Sequence, residues 1–232
     1  MVLYSLDRLL IFSAAFIRLS FRLCICAVVA VVLMMIAYSA VQPLPGLYMM
    51  SEARRLGGFE RDWAPIEEMA PVIARSVVAA EDANFCAHNG VDWDELFEVI
   101  EEGASRGAST ITQQVAKNVF LWHERSYLRK AIEIVFALGI EAFWSKERII
   151  EVYLNVAEFD EGVFGIEAAS LHYFGVSAAD ISPLQAARLA SILPDPKDRS
   201  ASNPGNFTRQ KALSVRDGAE TIRLDGRADC FE

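Results

Sequence analysis

Strand-like alternation of apolar and polar residues is almost missing from this 232-residue chain, and several other absences narrow its function further. Histidine occurs only at His88, His123 and His172, scattered along the chain, and no cysteine or histidine spacing matches a zinc site, so no metal ligands are assigned. Four cysteines are too few for a scaffold built on disulfides. Cys24 and Cys26 fall inside an apolar run and read as small buried hydrophobes. Cys86 and Cys230 stand far apart; they could meet in an oxidising compartment, but nothing in their placement argues for a bridge, and they are read as separate thiols. No repeat recurs at a fixed period and no tract is of low complexity, which excludes a solenoid. A basic excess is also lacking. Residues 1–42 hold three arginines and one aspartate, a charge of +2, so the chain total of −9 leaves −11 for residues 43–232. A domain that acidic has no face to neutralise a phosphate backbone, so a nucleic-acid partner is excluded, and any phosphate bound here must meet a local cationic cluster.

What the chain does have is apolar residue, 53% of the total, enough for a packed core and too much for disorder. The excess is densest in LCICAVVAVVLMMIAYSAV, Leu23 to Val41, nineteen residues without a charge. That length spans a bilayer, so residues 23–42 are expected to form a transmembrane helix. A cleaved signal peptide is the alternative, against which stand the length of the run and the poor small-residue site around Ala37 to Ala40. Arg8, Arg18 and Arg22 precede the span and favour a cytoplasmic amino terminus, residues 1–22, with the rest of the chain outside. Segment 9–17, LLIFSAAFI, is too short to cross and is expected to rest on the inner membrane surface. QPLPG at 42–46 opens a linker, residues 43–60. Amphipathic runs then follow at 67–82, 92–103, 111–120, 127–144, 146–156, 163–174 and 182–193, which makes the outer unit mainly helical. The stretch after Pro194, rich in Pro, Asn, Arg and Asp, reads as partly mobile, with residues 211–232 as a tail.

Three stretches carry ionisable groups where a bland helix would not. In EDANFCAHNG, Glu81 lies four residues after Val77, on the apolar side of a helix that runs from Met69 through Val72, Ile73, Ser76 and Ala80. Its carboxylate therefore points inward, and the following His88, Asn89 and Gly90 put it near a helix C-terminus, where the backbone dipole opposes negative charge. Burial and dipole both raise its pKa, as suits a general base, although structural ion pairs show the same perturbation. In RGASTITQQVAKN, Thr110 and Gln113 match a capping box, and Thr110, Gln114 and Lys117 share the polar side of the next helix. That side is either a solvated face or a set of donors for sugar or phosphate. In ERSYLRKAIE, Ser126 caps a helix whose first turn carries Arg129 and Lys130, cations at the positive helix end where an anion would be favoured. Those two either hold phosphate or pair with Glu133, four and three residues on. Glu133 aligns with Phe136 and Ile140 at the edge of the apolar stripe, whereas Glu141 falls on another side and reads as a structural acid. In KERIIEVYLN, Glu147, Arg148, Glu151 and Asn155 stand at helical pairing distances and read as mainly structural.

Taken together these stretches resemble the peptidoglycan glycosyltransferases of glycosyltransferase family 51. EDANFCAHNG is similar to the family's first motif, GASTITQQVAKN to its second and RKAIE to its third, with KERIIEVYLN and ARLASILPDP following in order as the fourth and fifth. The resemblance covers residues 61–210. The single span and the lack of a second large domain resemble the monofunctional members rather than the bifunctional penicillin-binding proteins. The resemblance implies a lysozyme-like helical glycosyltransferase domain, in the bacterial periplasm, anchored to the inner membrane. Its implied partners are lipid II and the nascent glycan strand, together with cell-division or elongation proteins. It implies that the 4-hydroxyl of acceptor lipid II attacks the anomeric carbon of the growing strand and expels undecaprenyl pyrophosphate with inversion.

Carried over residue by residue, Glu81 is the base and Glu133 the second catalytic glutamate, acting near the leaving group. Lys117, Arg129 and Lys130 hold pyrophosphate; Ser109, Thr110 and Gln114 position the donor; Asp82, Phe85 and His88 support the first motif. No cofactor is required, although magnesium assists the pyrophosphate in many members. One departure stands out: the second motif begins with two glycines in the family, and here the second is Ala108. Cys86 beside the proposed base is another unusual presence. Two other functions are consistent with inward glutamates. A glycan hydrolase would use both acids on a glycoside and water, but has no use for Arg129 and Lys130 or for a membrane span. A non-catalytic scaffold binding lipid-linked glycans would need neither acid.

Overall fold

The fold is given by a computed structural model that describes residues 2–103, 107, 109–124 and 126–232, with side chains from residue 16 onward. The chain divides into two units, Met1–Val41 and Gln42–Glu232.

The first unit is one helix, α1 (Val2–Tyr38). No glycine or proline interrupts it, so segment 9–17 is continuous with the span rather than a separate surface element, a correction to the sequence expectation. The stretch apolar and long enough to cross a membrane is Phe16–Tyr38, with mean hydropathy 2.6. It begins earlier than the expected 23–42 and stops sooner. After Tyr38 the Ser39 hydroxyl donates to the Ile36 carbonyl at 2.7 Å, and Pro43 and Pro45 forbid further helix.

The second unit is mainly α-helical. Its elements are α2 (Leu47–Leu56), β1 (Glu60–Arg61), α3 (Val72–Glu81), α4 (Trp93–Glu101), α5 (Ile111–Phe120), α6 (Tyr127–Phe143), α7 (Lys146–Val156), β2 (Glu158–Asp160), β3 (Val163–Phe164), α8 (Ile166–Phe174), α9 (Pro183–Ile192) and α10 (Asn206–Asp225). Helices α3 to α9 fall on the seven amphipathic runs. The first starts late because Ile66–Glu68 form a 3-10 turn and Pro71 stands at the N-cap of α3. The three strands, unforeseen from the alternation pattern, form a small sheet of order β1-β3-β2, with β1 parallel and β2 antiparallel to β3. They are two or three residues long, too short for period-two alternation to register.

Two boundaries are corrected. Residues 43–60 are no loose linker: Met49 and Glu52 of α2 are buried, and a Cβ on Gly46 would sit 2.0 Å from the Asn118 carbonyl oxygen of α5. Residues 211–232 are no mobile tail: α10 packs on α3 and α9 through Thr208, Ala212, Val215, Ala219 and Ile222, a stripe of period 3.6. Cys86 and Cys230, expected as separate thiols, form a disulfide, their Cα atoms 5.8 Å apart. The fold brings together residues separated by 144 positions, which no sequence spacing reveals.

The core is Tyr153, Phe85, Phe159 and Phe164 with Ile and Leu from α3, α5, α6, α7 and α9, all under 2% exposed. Two helix groups share it: α3, α9 and α10 pack together, and α5 packs between α6 and α7. The candidate site lies where α3 ends against the start of α5.

Candidate functional site

Glu81 is the last residue of α3, as its place in the stripe predicts, and it is half-buried. Gln114 Nε2 donates to Glu81 Oε2 at 3.1 Å, and the Tyr153 hydroxyl donates to Gln114 Oε1 at 3.2 Å. The two bonds fix which way the Gln114 amide faces: oxygen toward the phenol, nitrogen toward the acid. Burial pushes the Glu81 carboxyl above its ordinary range. The Gln114 hydrogen bond and the charges of Lys211 and Lys117 pull the other way, while Asp82 adds to the rise. Tyr153 is fully buried, and its phenol is held well above its usual range by burial and then by the nearby negative charges of Glu81 and Asp82. It stays a donor at any physiological pH.

Asp82 turns away from Glu81 and does a different job. Its Oδ2 accepts the first backbone N–H of α5, from Ile111, at 2.9 Å, and its Oδ1 meets His88 Nε2 at 2.9 Å. A carboxylate at the positive end of a helix, with an imidazole on its other oxygen, is compensated in place. Thr110 and Gln113 complete the capping box, and the Thr110 hydroxyl donates to the Gly90 carbonyl at 2.6 Å. Gly90 has φ +85°, and a Cβ there would come within 3.0 Å of the Ala137 carbonyl oxygen, so glycine lets the loop after α3 lie directly on α6. Phe85 is completely buried, with the Lys146 ammonium 4.4 Å from its ring centre. The same ammonium bonds the His88 carbonyl at 2.7 Å and Glu141 Oε1 at 2.8 Å, and the Thr112 hydroxyl donates to Glu141 at 2.6 Å. Asp82, Phe85 and His88 thus form the frame around Glu81, and Glu141 is the structural acid expected of it. Glu151 pairs with Arg148 at 2.6 Å, and Asn155 bonds both backbone groups of Ala64 at 2.9 and 2.8 Å, so that stretch is structural too.

On the other side of α5, Glu133 is buried at 2% exposure and held by two cations. Arg129 bonds its Oε2, and Lys130 Nζ lies 2.6 Å from its Oε1. Lys130 also donates to the Ser109 hydroxyl at 2.7 Å. Of the two readings of the helix start, the structure shows the pairing: Arg129 and Lys130, in the first turn of α6, both bond Glu133. The Arg129 Nε bonds the Glu124 carbonyl at 2.6 Å, which orients the guanidinium. Lys117 sits electrostatically between the two acids. Burial pushes its ammonium pKa down, Glu133 and Glu81 pull it up, and Arg129 and Lys130 push it further down.

Of two cavities, one is lined by Glu81 and the other by its partner Gln114. One, about 350 Å³, is lined by Glu81, Asn84, Gly107, Ser109 and Thr110. The other, about 360 Å³, is lined by Gln114, Lys117, Asn118, Tyr153 and Lys197, with the stacked rings of Tyr48 and His123, centroids 3.6 Å apart, in its wall. A hydroxyl entering the first cavity meets a desolvated carboxylate. An anion in the second meets Lys117, whose ammonium makes no hydrogen bond among the described residues. The polar side of α5 is therefore not a freely solvated face: Thr110 is buried, and Gln114 and Lys117 are half-buried in the wall of the second cavity. Ala108 lies outside the described residues.

Among the described residues no group of three or more His, Cys, Asp or Glu side chains converges on one point. Glu133, the acid nearest the cations, already has both oxygens engaged by Arg129 and Lys130. The described residues do not make a protein-borne magnesium site.

Sequence reasoning missed Tyr153 and Lys211. The phenol hides in the buried run Ile149, Ile150, Tyr153, Leu154, where an aromatic reads as core; Lys211 lies on a helix that the pattern did not reveal.

Comparison with known proteins matches residues 50–218 to the transglycosylase family. Among similar proteins, one from Jannaschia sp. (strain CCS1) is 54% identical over 203 residues, covering 87% of this chain and 85% of that protein. One from Rhizobium meliloti (strain 1021) is 47% identical over 171 residues, 72% of each chain. One from Caulobacter vibrioides is 44% identical over 207 residues, 88% of this chain and 89% of that protein. Each of the three bears the name biosynthetic peptidoglycan transglycosylase.

Proposed function

The chain belongs to the transglycosylase family, and on that premise we infer that it is a peptidoglycan glycosyltransferase in which Glu81 is the base that activates the attacking sugar hydroxyl. Its substrates are lipid II and the growing glycan strand. The acceptor's 4-hydroxyl loses its proton to a Glu81 carboxylate oxygen as it forms a bond to the anomeric carbon of the strand. The bond from that carbon to the pyrophosphate breaks, and the electron pair leaves with undecaprenyl pyrophosphate. The raised pKa of Glu81 suits it to accept a proton and later release it. Gln114, held by Tyr153, keeps the carboxylate aimed at the cavity.

Lys117, Arg129 and Lys130 receive the charge that develops on the leaving pyrophosphate. Glu133 holds Arg129 and Lys130 at the start of α6 until the anion arrives and keeps them from repelling each other apart. Ser109, bonded to Lys130, and Thr110 at the helix start line the cavity that borders Glu81 and position the sugar there. The single observation that carries this reading is the pairing of an under-compensated acid with a cationic cluster across one helix turn of α5.

The span anchors the enzyme to the bilayer that holds its lipid-linked substrate, the bacterial inner membrane. The arginines before it support an amino terminus in the cytoplasm, with the catalytic unit in the periplasm. The Cys86–Cys230 disulfide supports the same orientation, because such bridges persist on the oxidising side of the membrane. Recruitment by cell-division or elongation proteins belongs to this reading as well.

The test is to give the purified full-length chain labelled lipid II in detergent. Long glycan strands are expected. Short soluble fragments released from finished cell wall would mark a hydrolase instead, and binding without turnover a scaffold.

A further inference from the structure

The C-terminal helix approaches Glu81 from two directions. Along its length α10 packs on α3, so closely that a Cβ on Gly218 would lie 3.2 Å from that of Ala79, two residues before Glu81. In its amino-terminal half it carries half-buried Lys211, whose charge favours the ionised form of Glu81 against the burial of that acid. Beyond its carboxy-terminal end the chain grips the loop that follows Glu81. Cys230 bridges to Cys86, Arg227 Nη1 donates to the Ala83 carbonyl at 3.3 Å, and Phe231 packs on Phe85 with ring centres 6.1 Å apart. That loop carries Asp82 and His88, the frame of the site.

We propose that α10 is a positioning element for Glu81, with the Cys86–Cys230 disulfide as the clamp that holds it, so that reducing the bridge slows glycosyl transfer. The proposal rests on the reading of Glu81 as the base. Reduction by a dithiol breaks the sulfur–sulfur bond with two electrons and two protons, giving two thiols while the dithiol closes to its own disulfide. Both cysteines are half-buried rather than sealed in the core. Without it, the loop after Glu81 keeps only noncovalent contacts to the end of the chain. Displacements of about 1 Å in a catalytic group cost up to about a hundredfold in rate.

The experiment compares the oxidised full-length enzyme in detergent with the same enzyme after dithiol treatment, at a temperature where circular dichroism shows both fully folded. Alkylation in denaturant followed by mass spectrometry counts the thiols: Cys24 and Cys26 react in both forms, Cys86 and Cys230 only after reduction. The expected result is a fall in kcat of about tenfold with KM little changed. A Cys86→Ser/Cys230→Ser double variant should have the reduced enzyme's rate and ignore the dithiol; if it fails to fold, the dithiol arm on the folded chain stands alone. Equal kcat in the two forms, or free thiols at Cys86 and Cys230 in the oxidised enzyme, would each overturn the proposal. Its failure is separable from that of the base assignment: an inert Glu81→Gln with a dithiol-indifferent wild type rejects only the clamp, whereas an active Glu81→Gln rejects the base.

Discussion

Glu81 and Glu133 are both glutamates turned toward α5 from neighbouring helices, and they are wired in opposite ways. Among the described residues Glu81 has a single hydrogen bond, a neutral one from Gln114, and no ion pair. Glu133 is more deeply buried, yet Arg129 and Lys130 occupy both of its oxygens. Burial alone therefore does not make an acid a base. What decides is whether the surrounding protein supplies counter-charge at contact distance, as it does on both oxygens of Glu133 and, among the described residues, on neither of Glu81. Glu81 is left able to take a proton; Glu133 is committed to holding cations.

The largest effect that can break this contrast is expected from Glu81→Gln. Removing a general base should lower polymerisation of lipid II by about 10³-fold. The same change should leave the melting temperature unchanged or raise it. Because the folded-state pKa of Glu81 is raised, its ionised form costs folding free energy at pH above the unfolded pKa, and glutamine removes that cost. Polymerisation at the wild-type rate, or a clear loss of thermal stability, would place Glu81 with the structural acids.

On the Glu133 side, Arg129→Gln should lower kcat by about a hundredfold, as expected when a donor to developing charge is lost. The check is single-turnover kinetics with lipid II. A change confined to KM would mean that Arg129 only binds substrate. The smallest effect is expected from Tyr153→Phe, which frees the Gln114 amide to turn. One neutral hydrogen bond is worth about 1 kcal/mol, so a fall of about fivefold is anticipated in kcat/KM. No change at all would mean that Gln114 is held in place without the phenol.

The same contrast explains what could be read from the sequence. Helices α3 to α9 were legible because Val, Ile and Leu recur at helical spacing against charged neighbours. Glu81 was legible because a carboxylate at the end of such a stripe has nowhere to point but inward. Helix α10 was not: its buried stripe is Thr208, Ala212, Val215, Ala219 and Ile222, small side chains that barely contrast with the charged residues between them. Helix α2 was hidden in the same way, because one of its buried positions is Glu52, which pairs with Arg55 and Lys197 in the fold. The disulfide, the Tyr153–Gln114–Glu81 chain and Lys211 are long-range contacts, and they exist only once the helices have packed.

The most direct measurement of the central claim is a site-resolved carbon NMR titration of the Glu81 carboxyl in the full-length enzyme, assigned by its loss in Glu81→Gln. The account predicts a midpoint above the ordinary glutamate range that coincides with the acidic limb of the polymerisation rate. A midpoint at or below that range would contradict it.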